Sequence, residues 1–137
     1  MLVRDRMTSR PVTIPADADY KVALQLMQDH AVHHVPVLDG RRKLVGIVAE
    51  RDLLLAAMHH LQSAVEVAEV MHRDVVTATR DMPIAEAAAL MVDHRIGGLP
   101  VVDARERVVG VITETDIFRA FVESQDAPRV AGRKKSL

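Results

Sequence analysis

Cysteine, aromatic residues and long apolar runs are scarce in this 137-residue chain. The absence of cysteine excludes disulfides, thiolate metal sites and thiol catalysis. Aromatic residues make up only 2% of the sequence, too few for a protein that stacks bases or sugars on aromatic platforms. No apolar run approaches the roughly 20 residues of a membrane-spanning helix, and the N-terminus lacks the apolar segment of a signal peptide. We therefore expect a cytoplasmic protein.

Charge and hydrophobic content are ordinary for a globular protein. The formal net charge is −1, with 49% hydrophobic and 27% charged residues. This balance does not favour a nucleic-acid partner, which usually requires a basic surface. The sequence contains no G-x-S-x-G, Walker A, G-x-G-x-x-G or H-E-x-x-H motif. We therefore expect that the protein is not an enzyme.

The chain contains two copies of one pattern. Residues 3–56 align with residues 67–120 without a gap. The identical pairs include Met7 with Met71, Asp29-His30 with Asp93-His94, Pro36-Val37 with Pro100-Val101, Gly46 with Gly110, and Asp52 with Asp116. Because either copy alone would bury too little surface for a stable domain, we expect the two copies to pack together.

Each copy predicts the element order β-α-β-β-α, and thus an α+β fold. Short strands are expected at residues 11–14 and 75–79, followed by amphipathic helices with Asp17 and Pro83 at their starts. Apolar runs at 35–38 and 99–102 predict buried strands, and 44–49 and 108–113 predict their partners. Closing helices are expected at 53–58 and 117–124, and the connector, residues 59–66, is expected to be helical.

Three motifs give the chain its resemblance to a known family. They are Asp5-Arg6-Met7-Thr8, Gly97-Gly98-Leu99-Pro100-Val101-Val102-Asp103 and Gly110-Val111-Ile112-Thr113-Glu114-Thr115-Asp116, the last two echoed in the first copy. In their order, spacing and duplication the chain resembles a tandem pair of cystathionine β-synthase (CBS) domains, also called a Bateman module. The resemblance implies two repeats packed sheet to sheet with pseudo-two-fold symmetry. It divides the chain into residues 1–60, residues 61–126 and a basic C-terminal tail, residues 127–137.

The function implied by this resemblance is regulatory. Such pairs typically bind an adenosine-containing ligand, such as AMP, ADP, ATP or S-adenosylmethionine, between the repeats and transmit its occupancy to a partner. The expected role is therefore that of a sensor, for example of energy state, which needs no cofactor and works as a homodimer. The alternative is a ligand-free protein-interaction module whose clefts are vestigial.

The resemblance also assigns residues to a stronger ligand site. Asp116 would accept hydrogen bonds from both ribose hydroxyls, and His33 and His34 would face phosphates. Thr113-x-x-Asp116 has a structural alternative, because the same pattern is a helix capping box. The expected residues of this site are Ile14, Pro15, Val32, His33, His34, Val35, Val111, Thr113, Thr115 and Asp116.

A weaker site is expected at the equivalent place in the other copy. There Ala49 replaces the threonine, so a hydroxyl is missing beside Asp52. The expected residues are Ile47, Arg51, Asp52, Thr77, Arg95, Ile96, Gly97 and Gly98.

His30 and His34 have a spacing that could bind a metal, but the helix is expected to end before His34, and no metal site is predicted. Apolar residues on the closing helices are expected to form a subunit interface: Leu53, Leu54, Leu55, Ile117, Phe118, Phe121 and Val122.

Overall fold

The computed structural model describes residues 1–59, 63–125, 131–132 and 134–136. After a 3-10 turn at Val3–Asp5, the first half contains β1 (Thr8–Ser9), β2 (Ile14–Pro15), α1 (Tyr20–His30), β3 (His34–Leu38), β4 (Leu44–Ala49) and α2 (Glu50–His59). The second half contains α3 (Val67–Val70), α4 (Ile84–His94), β5 (Gly98–Val102), β6 (Val108–Thr113) and α5 (Glu114–Ser124). Most of the predicted basic tail lies outside the described residues.

The strands form two three-stranded sheets, one in the order β2-β3-β4 and the other in the order β1-β6-β5. The antiparallel pairs β3/β4 and β5/β6 have matching registers, with His34 opposite Ala49 and Gly98 opposite Thr113. Helices accompany both sheets, so the predicted α+β class with two related halves is confirmed.

The strands expected at the start of each copy are shorter than predicted. The strand expected at 11–14 begins only at Ile14, because Pro11 has no N–H to donate to a ladder. The strand expected at 75–79 is reduced to one parallel bridge between Ala78 and Val101.

Helix boundaries also differ from the sequence expectation. The N-cap of α1 is Asp19 and not Asp17: its carboxylate accepts a hydrogen bond from the backbone N–H of Lys21 at 2.8 Å. The closing helices α2 and α5 begin three residues early, which places Asp52 and Asp116 in their first turns. In the connector, residues 63–66 are not helical, and residues 60–62 lie outside the described part.

The leading segment of each copy packs on the other copy. The backbone N–H of Val3 donates to the carbonyl of Met82 at 2.8 Å, and the N–H of Val67 donates to the carbonyl of Ala18 at the same distance. Strand β1 pairs with β6, and His72 forms a bridge with Ile47 on β4. The two leading segments, residues 1–9 and 65–72, are therefore exchanged.

The hydrophobic cores follow this exchange. Val65, Val67 and Met71 belong to the core that surrounds α1, β3 and β4, although they come from the second half of the sequence. Val3 is fully buried in the other core, with Leu99, Val101 and Ile112. Each core is thus completed by the leading segment of the other copy. No helix among the described residues has both the length and the apolar character required to cross a bilayer.

Candidate functional site

The first of two clefts lies between the start of α5 and the end of α1. It has a volume of about 690 Å³. Its walls combine apolar side chains with arginines, histidines and carboxylates. The lining residues are Thr8, Arg10, Pro11, Val12, His30, Ala31, Val32, His33, His34, Gly97, Val111, Thr113, Glu114, Thr115, Asp116 and Arg119.

The second cleft occupies the equivalent position at the start of α2, with a volume of about 540 Å³. Most of its residues are the aligned counterparts of those in the first cleft. They are His34, Ile47, Ala49, Arg51, Asp52, His72, Arg73, Asp74, Val75, Val76, His94, Arg95, Ile96, Gly97 and Gly98.

His34 and Gly97 line both clefts and thus mark the boundary between them. His34 packs against Gly98, the residue with which it is aligned in the other copy. A Cβ built on Gly98 would lie 3.2 Å from the Cγ of His34. Burial and, secondarily, the neighbouring charge of His33 lower the pKa of His34, outweighing the opposite effect of Glu114 and Asp52. The His34 imidazole is therefore neutral at neutral pH.

In the first cleft, Asp116 is held at the start of α5 by Thr113. Its Oδ2 accepts hydrogen bonds from the Thr113 backbone N–H at 2.9 Å and from the Thr113 hydroxyl at 3.1 Å. The carboxylate therefore stabilises the helix start, as the capping alternative expected. Both bonds fall on Oδ2, so the capping contact does not use Oδ1.

In the second cleft, Asp52 is paired with a histidine. His72 Nε2 lies 2.8 Å from Asp52 Oδ2. The backbone of His72 is fixed at the same time, because it exchanges hydrogen bonds of 2.9 and 3.0 Å with Ile47. The alignment matches His72 with Thr8, so this pair has no equivalent in the first cleft.

The two copies also differ in the first glutamate of the closing helix. Glu50 Oε2 lies 3.0 Å from His33 Nδ1, and Glu50 is not among the residues that line the second cleft. Its counterpart Glu114 does line the first cleft, where its Oε1 would be 3.3 Å from a Cβ built on Gly97.

Most residues expected in the stronger site line the first cleft, but three lie elsewhere. Ile14 and Val35 are buried in the hydrophobic core. Pro15 is paired with Leu38 in the sheet. The first-strand contribution comes from earlier residues, Arg10, Pro11 and Val12, because β2 turns its own apolar side chain into the core.

The same shift occurs in the second cleft. The expected residues line it except Thr77, whose place is taken by the preceding Val75 and Val76. Sequence reasoning also missed the polar lining residues Thr8, His30 and Arg119 of the first cleft, and His72, Arg73, Asp74 and His94 of the second. The duplication could have indicated some of them, because polar residues stand at equivalent positions in both copies: Thr8 aligns with His72, and His30 aligns with His94.

Among the described residues, no group of three or more histidine, aspartate or glutamate side chains is placed to hold a metal ion. His30 ends α1, and Ala31 in the left-handed conformation (φ 53°) separates it from the strand that begins at His34. The helix thus stops before His34, as expected from the sequence.

Comparison with known proteins identifies relatives of this chain. The family model of the CBS domain matches residues 3–59 and again residues 67–123. L-aspartate semialdehyde sulfurtransferase of Methanocaldococcus jannaschii is 36% identical over 120 residues, which are 88% of this chain and 23% of that enzyme. The chain therefore spans about a quarter of the length of the first curated enzymes that it matches.

Two solved structures are similar to this chain over most of their length and most of its own. The CBS domain pair of protein MJ0100, in complex with 5′-methylthioadenosine and S-adenosyl-L-methionine, has a TM-score of 0.83 and 35% identity. The match covers 90% of this chain and 98% of that one. CBSX2 in complex with AMP has a TM-score of 0.80 and 27% identity. This match also covers 90% of this chain and 98% of the other.

Proposed function

Because this chain belongs to the CBS domain family, as a tandem pair of such domains, we propose that it is a regulatory module which binds an adenosine-containing ligand. The ligand occupies the clefts between the copies, and its presence is transmitted to a partner protein. Candidate ligands are AMP, ADP, ATP and S-adenosylmethionine, and the adenylates would make the module a sensor of energy state in the cytoplasm. The clefts do no catalytic work in this proposal.

The position of Asp116 carries the proposal. Its carboxylate lies in the first turn of α5 and lines the first cleft, where apolar Val12, Val32 and Val111 also lie. A carboxylate has acceptor sites for two hydroxyl donors, so it can hold a ribose diol. The apolar side chains would contact the faces of the adenine. The two relatives solved with adenosine compounds support this ligand class.

The test uses two substitutions of Asp116, because its carboxylate also stabilises the helix start. Asp116→Asn keeps an oxygen that can accept from the Thr113 N–H, but it loses the charge and one diol acceptor. Asp116→Ala loses both roles. We expect both variants to bind the ligand at least about tenfold more weakly in the first cleft, which corresponds to about 1.4 kcal/mol. Only Asp116→Ala should lose substantial thermal stability, about 1 kcal/mol.

The measurement is thermal unfolding with adenosine, AMP, ADP, ATP and S-adenosylmethionine, followed by calorimetric titration. A ligand at 100 times its Kd adds about 2.7 kcal/mol, which raises the Tm of a chain this size by about 5–10 °C. GTP is the matched non-adenine control. If no adenosine compound shifts the Tm of the parent protein, the ligand-binding function is wrong.

The alternative function is docking to a protein partner without a ligand. It is favoured by the apolar residues that α2 and α5 expose, among them Leu54, Met58, Phe118 and Phe121. In the sensor we propose that a second copy of the chain covers this surface, so that the module is a homodimer, whereas in the docking alternative the partner protein covers it. Docking without a ligand predicts that Asp116→Asn leaves regulation of the partner unchanged, whereas the sensor predicts its loss.

A further inference from the structure

We propose that the two clefts select adenosine ligands of different charge: the second cleft a phosphate-bearing nucleotide, and the first an uncharged or cationic nucleoside. This inference rests on the proposed function, because it assigns a ligand class to each of the two clefts. It follows from how the duplicated residues have diverged in charge.

The arginines of the second cleft are its first distinction. Arg51, Arg73 and Arg95 line it, and the alignment matches Arg51 with Thr115 and Arg95 with Ala31, both neutral residues of the first cleft. Guanidinium groups pair well with phosphate oxygens, which are acceptors for their fork of N–H donors.

The first cleft carries arginines too, but fewer. Arg10 and Arg119 line it, facing Glu114 and Asp116. The second cleft sets three arginines against Asp52 and Asp74. Three arginines against two carboxylates make the second lining cationic, whereas two arginines against two carboxylates balance in the first.

The partners of the carboxylates enlarge this difference. Asp52 Oδ2 lies 2.8 Å from His72 Nε2, so one oxygen of this carboxylate already has a side-chain partner. Among the described residues, Asp116 has hydrogen bonds only from the neutral groups of Thr113 and has no cationic partner. Glu114 adds a second carboxylate beside Gly97, whereas its counterpart Glu50 is engaged by His33 outside the second cleft.

The remaining histidines do not reverse the argument. His34 lines both clefts, and its lowered pKa keeps it neutral at neutral pH. His30 and His94 occupy equivalent places, so they affect the two clefts alike. His33 lines the first cleft but is paired with Glu50 at 3.0 Å. A phosphate in the first cleft would thus lie near two carboxylates, which balance the charge of Arg10 and Arg119.

The experiment measures each cleft separately by calorimetric titration at low salt. Asp116→Asn weakens binding in the first cleft, so titration of this variant measures the affinity of the second. Asp52→Asn weakens binding in the second cleft, so its titration measures the affinity of the first. The probes are adenosine, AMP and S-adenosylmethionine, which share the adenosine group and differ in charge. We expect the preference for AMP over adenosine to be about tenfold greater in the second cleft, and S-adenosylmethionine to favour the first.

Grafting between the copies provides the matched control. Arg51→Thr with Arg95→Ala, in the Asp116→Asn protein, gives the second cleft the neutral residues that the first has at these two positions. Thr115→Arg with Ala31→Arg, in the Asp52→Asn protein, is the reverse graft. Arg95 and Ala31 share a left-handed backbone (φ 55° and 53°), so this exchange is compatible with the local conformation. We expect the preference for AMP to move with the arginines while adenosine binding stays within about twofold.

The outcomes separate this inference from the function on which it rests. If both clefts bind adenosine and rank the three probes alike, the charge selection is wrong and the ligand-binding function stands. The same conclusion follows if the grafts leave the ranking unchanged. If the parent protein binds none of the probes, both proposals are wrong.

Discussion

Gly46 and Gly110 occupy equivalent positions, where an exchanged leading segment crosses a strand of the other copy. A Cβ on Gly110 would lie 2.9 Å from the Thr8 carbonyl oxygen and 2.6 Å from Met7 Sδ. A Cβ on Gly46 would lie 2.9 Å from the His72 carbonyl oxygen. The methionine could move aside, but the paired backbone oxygen could not without breaking the bridge. Both positions therefore require a residue without a side chain.

We expect Gly110→Ala and Gly46→Ala each to lower the free energy of unfolding by about 1–3 kcal/mol, the usual cost of overpacking. Urea denaturation measures the change. Gly40→Ala is the control, because nothing lies within 4 Å of a Cβ there. Equal stability of Gly110→Ala and Gly40→Ala would contradict the close approach of Thr8.

At this scale, the sequence predicted residues whose role repeats and missed those whose role has diverged. The family resemblance assigns Asp116 to the ligand site, and the internal alignment extends this assignment to Asp52 at the equivalent position. The pairing of Asp52 with His72 was not found, since it joins residues from different copies at a position where the first copy has Thr8. A spacing pattern within one copy contains no information about such a contact.

At the scale of elements, the exchanged leading segments are the feature that stabilises both halves. The segment 1–9 is held on the second half by the 2.8 Å hydrogen bond from Val3 to Met82, by strand β1 against β6, and by ion pairs of Arg4 with Asp81 and Arg6 with Glu123. Its anchor is the fully buried Val3.

We expect Val3→Ala to destabilise the protein by about 2 kcal/mol, because a buried valine is truncated. The effect should appear in the distant half. Amide hydrogen exchange should accelerate most in β5 and β6, although the substitution lies at the N-terminus. Val67→Ala is the matched variant and should accelerate exchange in β3 and β4. Faster exchange confined to each variant's own copy would contradict the exchange of segments.

The long elements could be predicted from the sequence, and the short ones could not. Helices α1 and α4 have an apolar stripe of helical period, and the two hairpins have continuous apolar runs, and both signals depend only on local residues. Strands of two residues, such as β1 and β2, have no period to detect. Which sheet β1 joins depends on packing between distant segments, so the sequence pattern could not assign Thr8 to β6.

At the scale of the whole molecule, α2 and α5 leave an apolar surface that we propose is covered by a second copy. Phe118 and Phe121 are 65% and 63% exposed, and Leu54, Leu55, Met58 and Val122 extend the surface. Leu53 and Ile117 were expected there, but Leu53 is fully buried and Ile117 packs against the second core. The apolar face of each closing helix is therefore divided between a core and an exposed surface.

We expect the protein to sediment as a dimer and Phe118→Glu with Phe121→Glu to sediment as a monomer, because a charge buried at an apolar interface is strongly unfavourable. Sedimentation velocity measures the change. Val92→Glu is the control, since Val92 is 75% exposed on α4 and lies outside this surface. A monomeric parent protein, or equal dissociation by Val92→Glu, would contradict the homodimer.

The exchange of leading segments also fixes an order of events during synthesis on the ribosome. The first copy has been translated by about residue 60, but its core still lacks Val65, Val67 and Met71. Residues 1–9 are translated before the strand with which they pair, β6, which lies about 100 residues further along the chain. Neither half can therefore complete its core before translation has passed well into the second, and residues 1–9 of the nascent chain must stay unpaired until then.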